Sequence, residues 1–163
     1  MKKHTIIDLF AGCGGLSLGL EDAGFESVYV NELNDDALES YLVNRDNNNP
    51  YLRERFNSND VKSMISNKKY ISSLISDLKK TYNLDVNSGD LTLLAGGPPC
   101  QGYSGIGHRR TYSVDKEQIP SNFLYQDMAY LINKLNPKIF LFENVRGLLS
   151  ARWNTNGNKG EIW

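Results

Sequence analysis

The sequence predicts an α/β domain built on a mostly parallel sheet, and three observations carry that prediction. Short apolar or β-rich runs recur at residues 5–9, 26–30, 91–95 and 138–142. Amphipathic helical stripes stand between them, as in chains that cross from one parallel strand to the next. The runs end in glycine, proline, asparagine or a carboxylate, so polar chemistry collects at the carboxyl ends of the strands, where open α/β sheets bind ligands.

Taken in order, residues 5–9 form the first strand, followed by Phe10-Ala11-Gly12-Cys13-Gly14-Gly15 and a helical pattern through Ala23. Strand, glycine turn and helix open a nucleotide-type unit, with backbone N–H groups free to approach a ligand. The turn reads as a site for an adenosine-containing ligand or as a plain tight turn. It is not the dinucleotide fingerprint GxGxxG, because Ser17 stands at the third glycine. Gly24 suits the position just past the helix. The second strand, 26–30, delivers Asn31-Glu32, and Glu32 follows Gly12 by the spacing at which an acid accepts ribose hydroxyls. Asn34 is a good N-cap for a helix over 35–44, whose early acids favour the helix dipole.

The polar stretch 45–59 places no strand firmly; a short third strand near Arg55-Phe56 ends at Asn59-Asp60-Val61. Asp60 there is an adenine-amino acceptor or an ordinary surface acid. A stripe of Ile71, Leu74, Ile75 and Leu78 predicts a packing helix over 69–82. A turn at 87–90 leads to the fourth strand.

The stretch 93–104, LLAGGPPCQGYS, presents Cys100 at a strand's end on a support stiffened by Pro98 and Pro99. Cys100 is a nucleophile or a small buried residue. Residues 102–120 carry three glycines with His108, Arg109, Arg110 and Lys116, a lid or a solvated loop. After a helix over 123–135, a fifth, buried strand at 138–142 delivers Glu143, a candidate for burial with a raised pKa or a solvated acid.

The 163 residues suit one domain, with 40% hydrophobic and 23% charged residues. No segment is apolar enough to span a membrane. The start MKKHTIIDLFAG reads as a strand rather than a signal peptide, so a reduced, cytoplasmic setting is expected. Cys13 and Cys100 alone cannot build a metal cluster, and no metal is expected. A net charge of −1 gives nucleic-acid binding no compositional support, though a local basic face would suffice.

DLFAGCGG (8–15), NELNDDAL (31–38), GGPPCQGYS (96–104) and ENVRGLL (143–149), in this order, resemble the DNA cytosine-5 methyltransferases. The resemblance covers nearly the whole chain and implies a Rossmann-like fold that depends on S-adenosylmethionine. It implies that Phe10, Ala11, Gly12, Cys13, Gly14, Gly15 and Leu16 line the cofactor pocket, with Glu32, Leu33, Asp60, Val61 and Pro98. By the same resemblance Cys100 is the nucleophile and Glu143 holds a cytosine flipped out of double-stranded DNA, as in bacterial restriction-modification enzymes. Residues 102–120 would close over that base.

The family continues with further strands, an arginine motif, a target-recognition domain and a late segment that completes the cofactor pocket. None of these is in the 163 residues. The resemblance therefore implies a single, C-terminally incomplete catalytic domain over 1–163, with sheet order 3-2-1-4-5 and strand five left as an edge. Such a chain would be truncated, stopped early or one part of a split enzyme, completed by a second polypeptide or by self-association. Competing readings are a non-catalytic remnant that binds S-adenosylmethionine or a partner chain, a tRNA methyltransferase relative, and a nicotinamide-dependent oxidoreductase.

Overall fold

A computed structural model describes residues 3–99 and 123–146. Five parallel strands form one sheet in the order β3-β2-β1-β4-β5, as expected. The strands are β1 (His4–Leu9), β2 (Phe25–Asn31), β3 (Asn57–Ser58), β4 (Leu93–Gly96) and β5 (Ile139–Phe142). The helices are α1 (Gly15–Asp22), α2 (Asp35–Val43), α3 (Tyr51–Glu54), α4 (Val61–Ser66), α5 (Lys68–Tyr82) and α6 (Leu124–Leu135). The strand order reverses between β1 and β4, so the crevice at their carboxyl ends is the switch point of the sheet.

Alternation along β1 sorts its side chains between two faces. Ile7 and Leu9 join the main core with Met64, Leu74, Leu78, Met128 and Leu131. Ile6 faces the other way, into a small cluster with Leu93, Ala95 and Leu20. Asp8 shares that second face and meets Ser17 of α1. At the opposite end of the ladder, Thr5 and Thr92 exchange backbone-to-hydroxyl hydrogen bonds of 3.2 and 3.3 Å, which join β1 and β4 where their strand pairing has not begun.

Local signals placed most boundaries. Asn34 caps α2 by accepting from the Ala37 amide at 2.9 Å. Gly24 ends α1 with φ +94°, and Gly89 closes the turn before β4 with φ +72°. In α5, Ile71, Leu74 and Leu78 are buried as the stripe predicts.

Two expectations fail. Residues 45–59 contain helix α3, and the third strand is only Asn57–Ser58, two residues past the expected place. Phe56 instead fills the core beside Tyr82, their ring centroids 5.0 Å apart. Helix α4 follows directly, started by Asp60 and ended at Asn67, which in turn caps the start of α5; its six residues are too few to show a period. Strand β5 is not buried: Ile139 and Phe140 are 60% and 59% exposed. Its exposure reflects its place at the end of the sheet, with β4 as its partner on one side among the described residues. The edge expected at strand five is therefore present among the described residues.

Candidate active site

The glycine turn leaves β1 through an unusual backbone. Phe10 adopts φ +57°, a left-handed conformation rarely held by an aromatic residue. The Ala11 amide then donates to the Asn31 carbonyl at 3.0 Å, which ties the turn to the end of β2. Glu32, the first residue past β2, accepts from the Gly12 amide at 2.8 Å through one oxygen and from the Asn34 amide at 2.8 Å through the other. The acid predicted from spacing thus closes the turn like a clasp between the two strand ends. A Cβ at Gly12 or Gly15 would stand in open space, so this side of the turn can admit a ligand.

The other side is closed. A Cβ on Gly14 would lie 2.5 Å from Cδ2 of Tyr41, and Gly14 itself has φ +89°. Behind it runs a buried polar chain. The Ser17 hydroxyl donates to Asp8, and the Tyr41 hydroxyl donates to Ser17 at 3.0 Å. Ser27 donates to Glu21, which also accepts from Nε of Arg45 at 2.8 Å. Burial pushes the Asp8 carboxyl up to about 6, against the opposing pull of the Ser17 hydroxyl and the Arg45 cation; Glu21 and Glu32 add smaller upward pushes.

The second half of the site lies at the ends of β4 and β5. Their parallel register pairs Gly96 with Phe142, so Gly97 and Glu143 leave the sheet side by side. The Glu143 amide donates to the Gly96 carbonyl at 3.0 Å, and a Cβ on Gly97 would lie 2.9 Å from Oε2 of Glu143. Only glycine lets this carboxylate lie across the backbone there. Asn144 donates from Nδ2 to the carbonyl of buried Pro98 at 3.1 Å and accepts from the Val145 amide at 2.9 Å. One side chain therefore fixes the proline turn to the end of β5. Of the two readings of Glu143, a buried or a solvated acid, the side chain is exposed, projecting past the edge strand rather than under a neighbouring one.

The remaining expected residues are distributed unevenly. Phe10 and Ala11 are partly buried against the core, whereas Cys13, Gly15, Leu16 and Leu33 are exposed, Leu33 by 71%. Asp60 is the N-cap of α4, accepting from the Lys62 amide at 2.9 Å and the Ser63 hydroxyl at 3.2 Å. Val61 is 3% exposed and belongs to the core. Cys100 and residues 102–120, with His108, Arg109, Arg110 and Lys116, lie outside the described residues. Among the described residues no group of His, Cys, Asp and Glu is placed to hold a metal ion, and no helix is long and apolar enough to cross a membrane.

A family model described as C-5 cytosine-specific DNA methylase matches residues 4–159. The chain belongs to this family. Among its curated relatives is the type II methyltransferase M.PspPI of Psychrobacter sp., 33% identical over 90% of this chain and 28% of its own length. DNA (cytosine-5)-methyltransferase 1 of Mus musculus is 32% identical over 93% of this chain and 9% of its own length. Among solved structures, a prophage-encoded protein described as a DNA modification methyltransferase (E. coli) matches with a TM-score of 0.58 and 29% identity, over 90% of this chain and 33% of that one. The chain thus spans a third or less of the length of these relatives. The family as a whole uses S-adenosylmethionine, and the glycine turn fits that cofactor in having one open side and an acid at the next strand end.

Asp8 and Asn144 stand within the motifs DLFAGCGG and ENVRGLL but receive no role from them, and Tyr41 and Arg45 stand outside every motif. Asp8 and Asn144 carry a weak signal, being polar residues within or directly after apolar strands. Tyr41 and Arg45 carry none, because what they hold at the turn lies far away in sequence, Ser17 being 24 residues from Tyr41 and the Gly14 carbonyl 31 residues from Arg45.

Proposed function

We propose that this chain carries the cofactor turn and the base-activating residues of an enzyme that methylates carbon 5 of cytosine in double-stranded DNA. The observation that supports it most is the pairing at the ends of β4 and β5: Glu143 lies over Gly97, and Asn144 holds the Pro98 carbonyl two residues before Cys100. The Glu32 clasp on Gly12 supports the cofactor assignment.

Phe10, Ala11, Gly12, Cys13, Gly14, Gly15 and Leu16 would hold S-adenosylmethionine from the first strand. Glu32 and Leu33 would hold its ribose and edge, and Asp60, Val61 and Pro98 would bound the remainder. Asp60 keeps acceptor capacity beyond its two capping bonds, since a carboxylate has about four lone-pair sites. When bound, the cofactor supplies an electrophilic methyl group. The chain's own work is to make carbon 5 nucleophilic. The Cys100 thiolate adds to carbon 6, forming a carbon–sulfur bond and moving the ring electrons toward carbon 5 and N3. Glu143, as a carboxylic acid, donates to N3 and neutralises that charge. After methylation a base removes the carbon 5 proton, and the electrons return to expel the thiolate. The target base must leave the duplex for this, which residues 102–120 would assist.

The bacterial relatives support a restriction-modification setting. Turnover is proposed for the chain together with the rest of the relatives' fold. The test has two arms. Isothermal titration of the 163-residue chain with S-adenosylmethionine should show binding that Glu32→Ala weakens; no binding would refute the cofactor assignment. Methyl transfer from labelled cofactor to unmethylated DNA, with a complementing fragment from a relative, should place label in 5-methylcytosine and vanish in Cys100→Ser. Label in tRNA alone would move the substrate to RNA.

A further inference from the structure

Gly14 is held from behind by a side chain that no motif includes. Arg45, 6% exposed, donates from Nη2 to the Gly14 carbonyl at 3.3 Å and from Nη1 to the Tyr41 carbonyl at 3.1 Å. Its Nε donates to Glu21, and its guanidinium carbon lies 3.7 Å from the centre of the Tyr41 ring. All three nitrogens and the flat face are thus engaged, a geometry open to arginine and closed to lysine.

The Gly14 carbonyl has a second role. A trans peptide plane points its carbonyl and the following N–H in opposite directions. Drawing the Gly14 oxygen inward onto Arg45 therefore aims the Gly15 N–H outward, toward the side of the turn where a Cβ would meet nothing. The same oxygen also accepts from the Leu18 amide at 2.9 Å, the first helical bond of α1. First-turn bonds fray readily, and glycines at 12, 14 and 15 leave the turn little stiffness of its own. A charge-assisted bond from a buried, stacked guanidinium supplies that stiffness.

We propose that Arg45, stacked on Tyr41, is a positioning residue of the cofactor turn, orienting the Gly14–Gly15 peptide so that its N–H faces the bound cofactor. This rests on the reading of the turn as the S-adenosylmethionine loop. The competing role is purely structural, the neutralisation of Glu21 within the fold.

The pair Glu21→Gln and Glu21→Gln/Arg45→Met separates the two roles. Methionine keeps an apolar stem over Tyr41, and glutamine removes the Glu21 charge that would otherwise be left unpaired; measurement at about pH 5, below the Asp8 pKa of about 6, keeps Asp8 protonated in both variants. Two readouts are taken on the whole chain: hydrogen exchange at the amides of residues 12–18, and the Kd for S-adenosylmethionine by calorimetry. Relative to Glu21→Gln, the double variant should exchange faster at Gly14 and Leu18, whose amides donate to Ala11 and Gly14, with β4 amides unchanged, and should bind the cofactor at least about tenfold more weakly, the loss expected for one charge-assisted hydrogen bond. Equal exchange at the turn, or an equal Kd, overturns the proposal. Arg45→Lys, which keeps the charge beside Glu21, should weaken binding as well; full parental affinity would assign Arg45 to charge balance alone. A parent chain that binds no cofactor refutes the function proposed above, and the exchange comparison still decides whether Arg45 holds the turn.

Discussion

Replacing Asp8 by asparagine tests whether the buried carboxylate behind the glycine turn works against folding at neutral pH. Asp8 is 1% exposed, on the face of β1 that meets α1. Its pKa is raised from 3.8 to about 6, first because burial penalises the charged form, with Ser17 and Arg45 only partly offsetting this. Between those two values the folded protein holds a proton that the unfolded chain releases. The contribution of Asp8 to stability is therefore full below about pH 4 and is lost as the pH rises through about 6. At about 1.4 kcal/mol per pH unit, the difference amounts to roughly 3 kcal/mol by pH 7. An asparagine at this position would keep an oxygen to accept from Ser17 and would not titrate. Its extra N–H adds an offset of its own, but that offset does not change with pH. The assay is urea denaturation of both proteins at pH steps from about 4 to 7.5, with slopes compared to confirm two-state unfolding. The stability of the parent relative to the Asp8→Asn variant should fall by roughly 3 kcal/mol across the range. Parallel pH profiles, agreeing within about 0.5 kcal/mol at every step, would refute the burial argument, since carboxylates remote from Asp8 contribute alike to both proteins.

Other outcomes follow from the same contacts. Gly14→Ala places a Cβ 2.5 Å from the Tyr41 ring at φ +89°, and the combined strain and overpacking should cost about 2–4 kcal/mol in chemical denaturation, together with cofactor affinity. Asn144→Ala frees the Pro98 carbonyl; it should cost only about 1 kcal/mol of stability but lower methyl transfer by the complemented enzyme much more than it raises the cofactor Kd. Leu78→Ala, at a fully buried position in α5, should destabilise by about 2–4 kcal/mol, whereas Ile139→Ala on the exposed edge strand should cost under about 1 kcal/mol. In calorimetry Glu32→Ala should weaken S-adenosylmethionine binding, and an unchanged Kd would remove its ribose contact.

The succession of strands and helices, the glycine turn and Glu32 were legible in the residues themselves, while the sheet order, with strands four and five as neighbours, came from the family resemblance. Asn34, Gly24 and Gly89 act on their own backbone within a few residues, so composition and spacing disclose them. The segment 45–59 was not legible, because Phe56 is buried by Tyr82 and Leu52 lies in the core, neither of which alternates with a period the segment itself displays. Burial was misjudged at β5, and left open at Glu143, for a related reason. An apolar run specifies a strand, while the neighbour that covers it belongs to the sheet as a whole.

The sequence by itself determined which residue types stand at the strand ends, and through them the family and the chemistry available: a thiol, two carboxylates and a turn able to meet a cofactor. Tertiary structure alone decided what holds them. Asp8, Ser17, Tyr41, Glu21 and Arg45 come from β1, α1, α2 and the segment just beyond α2, and their polar groups meet only after the sheet has assembled. Motifs report groups that must face a ligand. The supports behind them are set by hydrogen-bond geometry and packing between distant segments, and a linear pattern carries no record of that distance.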